Sequence, residues 1–293
     1  MEENKTMRHI YIIKGIVTAA AILTATASCV KDDLYDMPDP GPQTGTMTVT
    51  TDFSDKSAEA EFAPTCSLLI GGEWNTTVAS GTATEIDNAF EPGAYSLLAY
   101  TEPEGFTVSG TVATVNALPG GGIEPQPGYL FAAAQPVEIE AGKTTTVTAR
   151  MRQYVRRIDF DMDASGDTDA RIASASATLS GVETAVDIAT GMLAGKPSTV
   201  SADFTKGDDG HYRLFFRVLE VVSAERQTLT VTINYANGET QTVESDITGE
   251  LSNFGGTREP LQLNGKLELP VDAGANATLS PWTVGEGGSG DAM

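Results

Sequence analysis

Apolar and polar positions alternate through most of this 293-residue chain. In residues 46–53, Met47, Val49, Thr51 and Phe53 share one side, the two-residue period of a strand with one buried face. The same reading predicts strands at 65–70, 94–101, 106–115, 129–134 and 144–155. It continues at 158–162, 173–179, 212–222, 227–235, 240–247 and 261–271. Thr and Val dominate these runs, and Gly, Pro and Asn separate them. Asn237-Gly238 between the runs at 227–235 and 240–247 predicts a tight hairpin in which both residues take positive φ. Helical periodicity is nowhere sustained for three turns, so the expected fold class is all-β.

The alternation changes phase once in a telling place. Val147, Ala149, Met151, Gln153 and Val155 put the inward side on odd numbers, whereas Ile158, Phe160 and Met162 put it on even ones. A shift of one residue turns every following side chain to the opposite face. With a length that suits two domains, the flip predicts β-sandwiches at 44–153 and 156–284. Near the end, Leu261, Leu263, Leu267, Leu269 and Val271 alternate with Gln262, Asn264, Lys266 and Glu268, which predicts a strand with one buried face. The glycine-rich tail 285–293 is too poor in apolar side chains to repay the entropy of ordering it. The run at 261–271 reads first as a fixed strand of the second sandwich, and any strand available to another sheet is therefore expected within 261–284.

The first residues follow a different logic. Lys5, Arg8 and Lys14 precede an uncharged stretch of 14 residues, 15–28, that is too short to span a bilayer. Small residues Ala27 and Ser28 lead into Cys29. This order reads as a cleavable signal peptide, residues 1–28, with lipid (palmitate) carried on Cys29. Thr26 departs from the leucine usual at its place, and Met7 is a plausible true start. Residues 29–43 then form a tether whose Met-Pro-Asp-Pro-Gly-Pro-Gln end is a semi-rigid spacer. Lys31, Asp32 and Asp33 resemble the charged tag that exports lipoproteins of the Bacteroidota to the outer face of the outer membrane.

Charge narrows the partners. With the leader removed, 38 acidic residues stand against 15 basic ones, a net charge of −23. Such a surface repels phosphate backbones and anionic headgroups, which argues against nucleic acid and leaves lipid as the membrane attachment. Residues 30–149 hold Lys31, Lys56 and Lys143 but no arginine, whereas Arg150, Arg152, Arg156 and Arg157 arrive together. That cluster is expected to line the domain junction or to pair with acidic neighbours.

Little chemistry is on offer. Asp161, Asp163, Ser165, Asp167 and Asp169, with Gly166 at the turn, match part of a calcium loop. Ile172 stands where a bidentate glutamate is needed, so an acidic β-turn is the favoured reading. After the leader the chain has one histidine, His211, so a Ser-His-Asp or Cys-His relay could use only that residue as base. In an apparent turn it reads as solvent-exposed instead, and His and Cys are too few to fill a zinc site. No catalytic residue and no cofactor are expected. Cys66, alone in an apolar run, reads as an inert buried thiol. Trp74 and Trp282 read as residues at the edge of a core, although exposed aromatics could serve a glycan-capturing protein.

Cys29-Val-Lys-Asp-Asp-Leu-Tyr35, Met47-Thr-Val-Thr-Thr-Asp-Phe-Ser54 and Glu91-Pro-Gly-Ala-Tyr95 come in a characteristic order. Thr144-Thr-Thr-Val-Thr148, Tyr154-Val-Arg-Arg-Ile158 and Ala177-Thr-Leu-Ser-Gly181 follow. In this layout the chain resembles the FimB-type fimbrial anchor and assembly lipoproteins of Bacteroidales. The resemblance implies two tandem transthyretin-like β-sandwiches, a place at the base of a surface fimbrium and pilin subunits as partners. In related stalk subunits a protease removes the first strand after an arginine. The absence of arginine from 30–149 suits an anchor that keeps that strand, though Lys56 leaves a trypsin-like cut open. A polymerising stalk or tip pilin and a glycan-capturing lipoprotein are the alternatives.

Overall fold

The computed structural model describes residues 41, 43–167, 170–269 and 276–285. Among them the regular structure is strand, apart from one 3-10 turn at Phe254–Gly256. In chain order the first half supplies β1 (Thr46–Asp52), β2 (Thr65–Ile70), β3 (Trp74–Ala79), β4 (Thr84–Glu85) and β5 (Gly93–Tyr100). It continues with β6 (Phe106–Ser109), β7 (Val112–Val115), β8 (Phe131–Ile139), β9 (Thr144–Arg150) and β10 (Arg152–Gln153). One sheet is ordered β4-β1-β9 and the other β10-β8-β5-β2-β3. The alternation predicted for the first strand holds, since Met47, Val49 and Thr51 are buried and the threonines between them only half-buried.

The second half supplies β11 (Arg156–Asp163), β12 (Ile172–Val182), β13 (Ala185–Asp187), β14 (Met192–Leu193), β15 (Ser198–Asp203) and β16 (Thr205–Lys206). After these come β17 (His211–Val218), β18 (Thr228–Tyr235), β19 (Thr240–Asp246), β20 (Leu261–Glu268), β21 (Thr278–Leu279) and β22 (Thr283–Val284). One sheet runs β16-β17-β11-β20-β21, with β22 also on β20, and another runs β15-β12-β18-β19. A further sheet, β14-β13-β7-β6, takes two strands from each half. Its seam pairs Val186 with Ala113, and the Val115 N–H donates to Thr184 O at 2.8 Å. The fold is all-β, and buried apolar side chains from Met47 to Trp282 form one contiguous cluster.

The phase change falls between Val155 and Arg156, which are consecutive and both buried. There the chain leaves β10, on β8, and enters β11, between β17 and β20. Other expectations needed correction. Residues 106–115 are a hairpin rather than one strand, because Gly110 at φ +60° turns the chain between β6 and β7. At the Asn-Gly hairpin only Gly238 has positive φ, +88°. The Gly238 N–H donates to Tyr235 O and the Tyr235 N–H to Glu239 O, which is a three-residue loop with the glycine at its left-handed end. Asn237 instead accepts the Glu239 N–H on its side chain. Strands β3 and β15 carry too few apolar positions to show a period of their own.

Candidate functional site

The C-terminal strands form the first candidate. Leu261, Leu263, Gly265 and Leu267 share the inward side of β20, with Leu263 and Leu267 buried, and Leu269 just past the strand is partly buried against the same core. One edge of β20 runs parallel to β11 from Leu261 to Lys266. Its other edge is covered by less. Strand β21 supplies two paired residues, opposite Leu267 and Glu268, and β22 two more, opposite Leu263 and Asn264. Between them the Ser280 N–H donates to Lys266 O at 2.8 Å, and beyond the β22 pair the Gly285 N–H donates to Gln262 O at 2.9 Å. Trp282 fills the space over Gly265, where an added Cβ would lie 3.1 Å from the indole ring. The indole meets Phe160 edge-to-face, with centroids 5.4 Å apart, and is 2% exposed. Glycine at an inward position of an alternating run was the sequence signal for such a filler.

The first strand is the second candidate. It runs parallel to β9 in unbroken register from Thr46–Thr144 to Asp52–Arg150, and β4 covers only Thr48 and Val49 on its other side. Two long-range contacts hold the loop that follows. Gln153 Oε1 accepts from the Ser57 N–H at 2.9 Å and from its hydroxyl at 3.1 Å, with Ser57 fully buried. Arg258 forms an ion pair with Asp55 and donates to its carbonyl oxygen at 2.7 Å. Lys56, between these anchors, is half-buried. Neither Gln153 nor Arg258 stood out in the sequence, because partners about 100 and 200 residues away leave no local pattern.

The acidic residues weighed for calcium do not converge. Asp161 accepts from Arg213 Nε at 3.0 Å, and its other oxygen lies 2.6 Å from His211 Nδ1. The Asp163 carboxyl accepts the Ser165 N–H, and hydrogen bonds from Ser165 hold its pKa below the usual carboxylate range. Asp167 turns its carboxylate to the N–H groups of Arg171 and Ile172. Asp169 lies outside the described residues. Among the described residues no group of three His, Cys, Asp or Glu side chains is placed to hold a metal ion. His211, expected in a turn, is the first residue of β17 and pairs across from Asp163. Nearby, hydrogen bonds from Arg213 and from the His211 N–H hold the Asp209 carboxyl down to about 2.

The arginine cluster divides among neighbours. Arg150 sits opposite Asp52, and Arg157 pairs with Asp159 and lies 4.2 Å from the Phe215 ring centroid. Arg156 donates from Nε to Glu259 O at 2.6 Å. Trp74 is half-buried against Phe90, and Cys66 is buried beside Ser80, its thiol pushed up by burial. The signal peptide 1–28, Cys29, and Lys31, Asp32 and Asp33 all lie outside the described residues. Among the described residues no helix is long and apolar enough to cross a membrane.

The chain's fold is shared by solved structures of low identity. The fimbrial anchor protein Mfa2 from Porphyromonas gingivalis superposes with a TM-score of 0.58 at 13% identity, covering 82% of this chain and 97% of that one. A candidate adhesin from Bacteroides ovatus gives 0.57 at 16%, covering 86% and 96%. A candidate polysaccharide-binding protein from Bacteroides thetaiotaomicron gives 0.55 at 10%, covering 77% and 92%. No curated protein matches the chain by sequence. Residues 72–285 match the sequence profile of the fimbrillin-A associated anchor proteins Mfa1 and Mfa2, so the chain belongs to that family.

Proposed function

We propose that the chain anchors or helps assemble fimbriae at the outer membrane, held by lipid on Cys29 and exported by Lys31, Asp32 and Asp33. In this reading 44–153 and 156–284 are its two sandwich units, and the alternation flip at Val155–Arg156 is the crossing between them. The observation that carries the reading is the way β1 and the loop after it are held. That strand has a seven-residue parallel register with β9. The loop beyond it is fastened by Ser57–Gln153 and Asp55–Arg258 across the half-buried Lys56. A subunit that surrendered its first strand would lose its lipid with it, whereas this loop supports keeping both.

Contact with pilin would then fall to the C-terminal segment, where strand addition supplies backbone hydrogen bonds and pockets for alternate side chains. Treating whole cells with trypsin, then extracting the outer membrane, tests this. The chain should stay uncut at Lys56 and bring a pilin subunit with it. Cleavage after Lys56 with release of everything beyond it, or repeated recovery of the chain alone, would count against an anchor. Glycan capture is the rival, prompted by the description of the third similar structure. Burial of Trp282 removes one of its two tryptophan platforms, and binding on a glycan array separates the two readings.

A further inference from the structure

A cavity of about 400 Å³ lies where the chain crosses from β10 to β11. Its lining includes three arginines, Arg152, Arg156 and Arg258, against one carboxylate, Glu220, in a chain of net charge −22. Arg258 is spent on Asp55. Arg156 is different. It is 8% exposed, its guanidinium lies 4.5 Å from the Phe254 ring centroid, and its Nη1 is buried with no hydrogen-bond partner. Nη1 is closed off from the cavity and Nε is given to Glu259 O, so what Arg156 offers a ligand there is its buried positive charge, which an anion would balance. Glu220 turns one oxygen to the Val221 N–H at 3.1 Å, and burial raises its pKa against the pull of Arg156 and Arg152. Arg152 is exposed, its guanidinium 5.0 Å from the Tyr154 ring centroid.

Part of the remaining wall is apolar, with Val186 and Leu219 buried and Leu193 47% exposed. Neutral polar side chains are scarce. Gln153 is committed at both ends, to Ser57 and to Val155 O, which leaves Tyr154 and Thr257. Sugar hydroxyls would need a richer set of polar partners than this. We propose that the cavity binds a carboxylate carried on a small apolar body, with Arg156 and Arg152 receiving the anion and Val186, Leu193 and Leu219 the rest. The volume is of the order that small-ligand sites occupy, and the exposed planar guanidinium of Arg152 suits two carboxylate oxygens. This inference does not depend on the fimbrial reading.

Calorimetric titration of the full chain in detergent with N-acetyl-leucine, and with its uncharged amide, tests the site. The acid should bind and the amide should bind at least tenfold more weakly, the loss of about one charged contact. Arg152→Gln, at an exposed position, should weaken the acid by a similar factor without changing the melting temperature. Arg156→Gln should do the same, since it removes the buried charge; if it unfolds the protein, Arg152→Gln decides. Two short amidated peptides bearing an internal aspartate or glutamate, and one ending in a free leucine, identify whether a side chain, a chain end or a free small acid is preferred. The proposal is overturned if no carboxylate binds at millimolar concentration or if the amide binds as well as the acid. It also falls if Arg152→Gln leaves affinity unchanged, or if glucuronate binds more tightly than N-acetyl-leucine.

Discussion

Gly265 and Trp282 show how one missing side chain organises the end of the chain. A side chain at 265 would meet the indole ring, which closes the apolar face of β20 against Phe160. Overpacking a filled site typically costs about 1–3 kcal/mol. Gly265→Val, in a Trp74→Phe background, should therefore lower the melting temperature and shift Trp282 emission to the red. Unchanged emission would mean that the indole is not seated there. Asp209 supplies a pH-dependent contribution of known sign. Its folded pKa, near 2, lies below the ordinary 3.8, so its stabilisation is present above the ordinary value and fades as pH falls toward 2. Asp209→Asn should melt slightly below the parent near neutrality and match it near pH 2. The carboxylate is exposed, so the difference should shrink with added salt; a gap undiminished at pH 2 would point to a cause other than this carboxylate.

At the scale of elements, β20 and the strands that cover it have different roles. Strand β20 lies between β11 and the β21–β22 segment, with Leu267 buried, so it is part of the sheet rather than a free strand. Strands β21 and β22 are held by two residue pairs each and a few further hydrogen bonds, so they are the cheaper part to displace. The expectation of a donated strand anywhere within 261–284 thus narrows, as a proposal, to 276–284. Deleting 285–293 should leave fibre attachment intact. Leu267→Asp with Leu269→Asp should abolish folding, because it buries charge in the sheet's inner face. Loss of fibres on removing only the tail would sink this assignment.

At the scale of the whole molecule, the proposed leader and tether would decide where the folded part works. Cys29→Ala should leave the protein either soluble after cleavage or unprocessed with its signal attached. A correctly cleaved variant that still pellets with membranes would mean that another group is the tether. Changing Lys31, Asp32 and Asp33 to Ala is a separate test. Lipidation should persist while protease added to whole cells no longer reaches the chain; unchanged digestion would remove the export role of these residues.

The sequence by itself determined the all-β class, most of the strands and the place where the inward face reverses. Each of these is local: side-chain direction has a period of two, so a run such as Met47, Val49, Thr51 reports its buried face without reference to its partner. Only the tertiary structure decided which strands pair. The parallel union of β1 with β9, the seam between β7 and β13, and the fastening of Lys56 by Gln153 and Arg258 join residues far apart along the chain. Two-residue strands such as β21 and β22 are too short to display a period, and exist because β20 offers them an edge. The arginine cluster was legible as a cluster, but not as the lining of a cavity. Whether a guanidinium meets a partner or an empty wall depends on what the rest of the chain packs beside it.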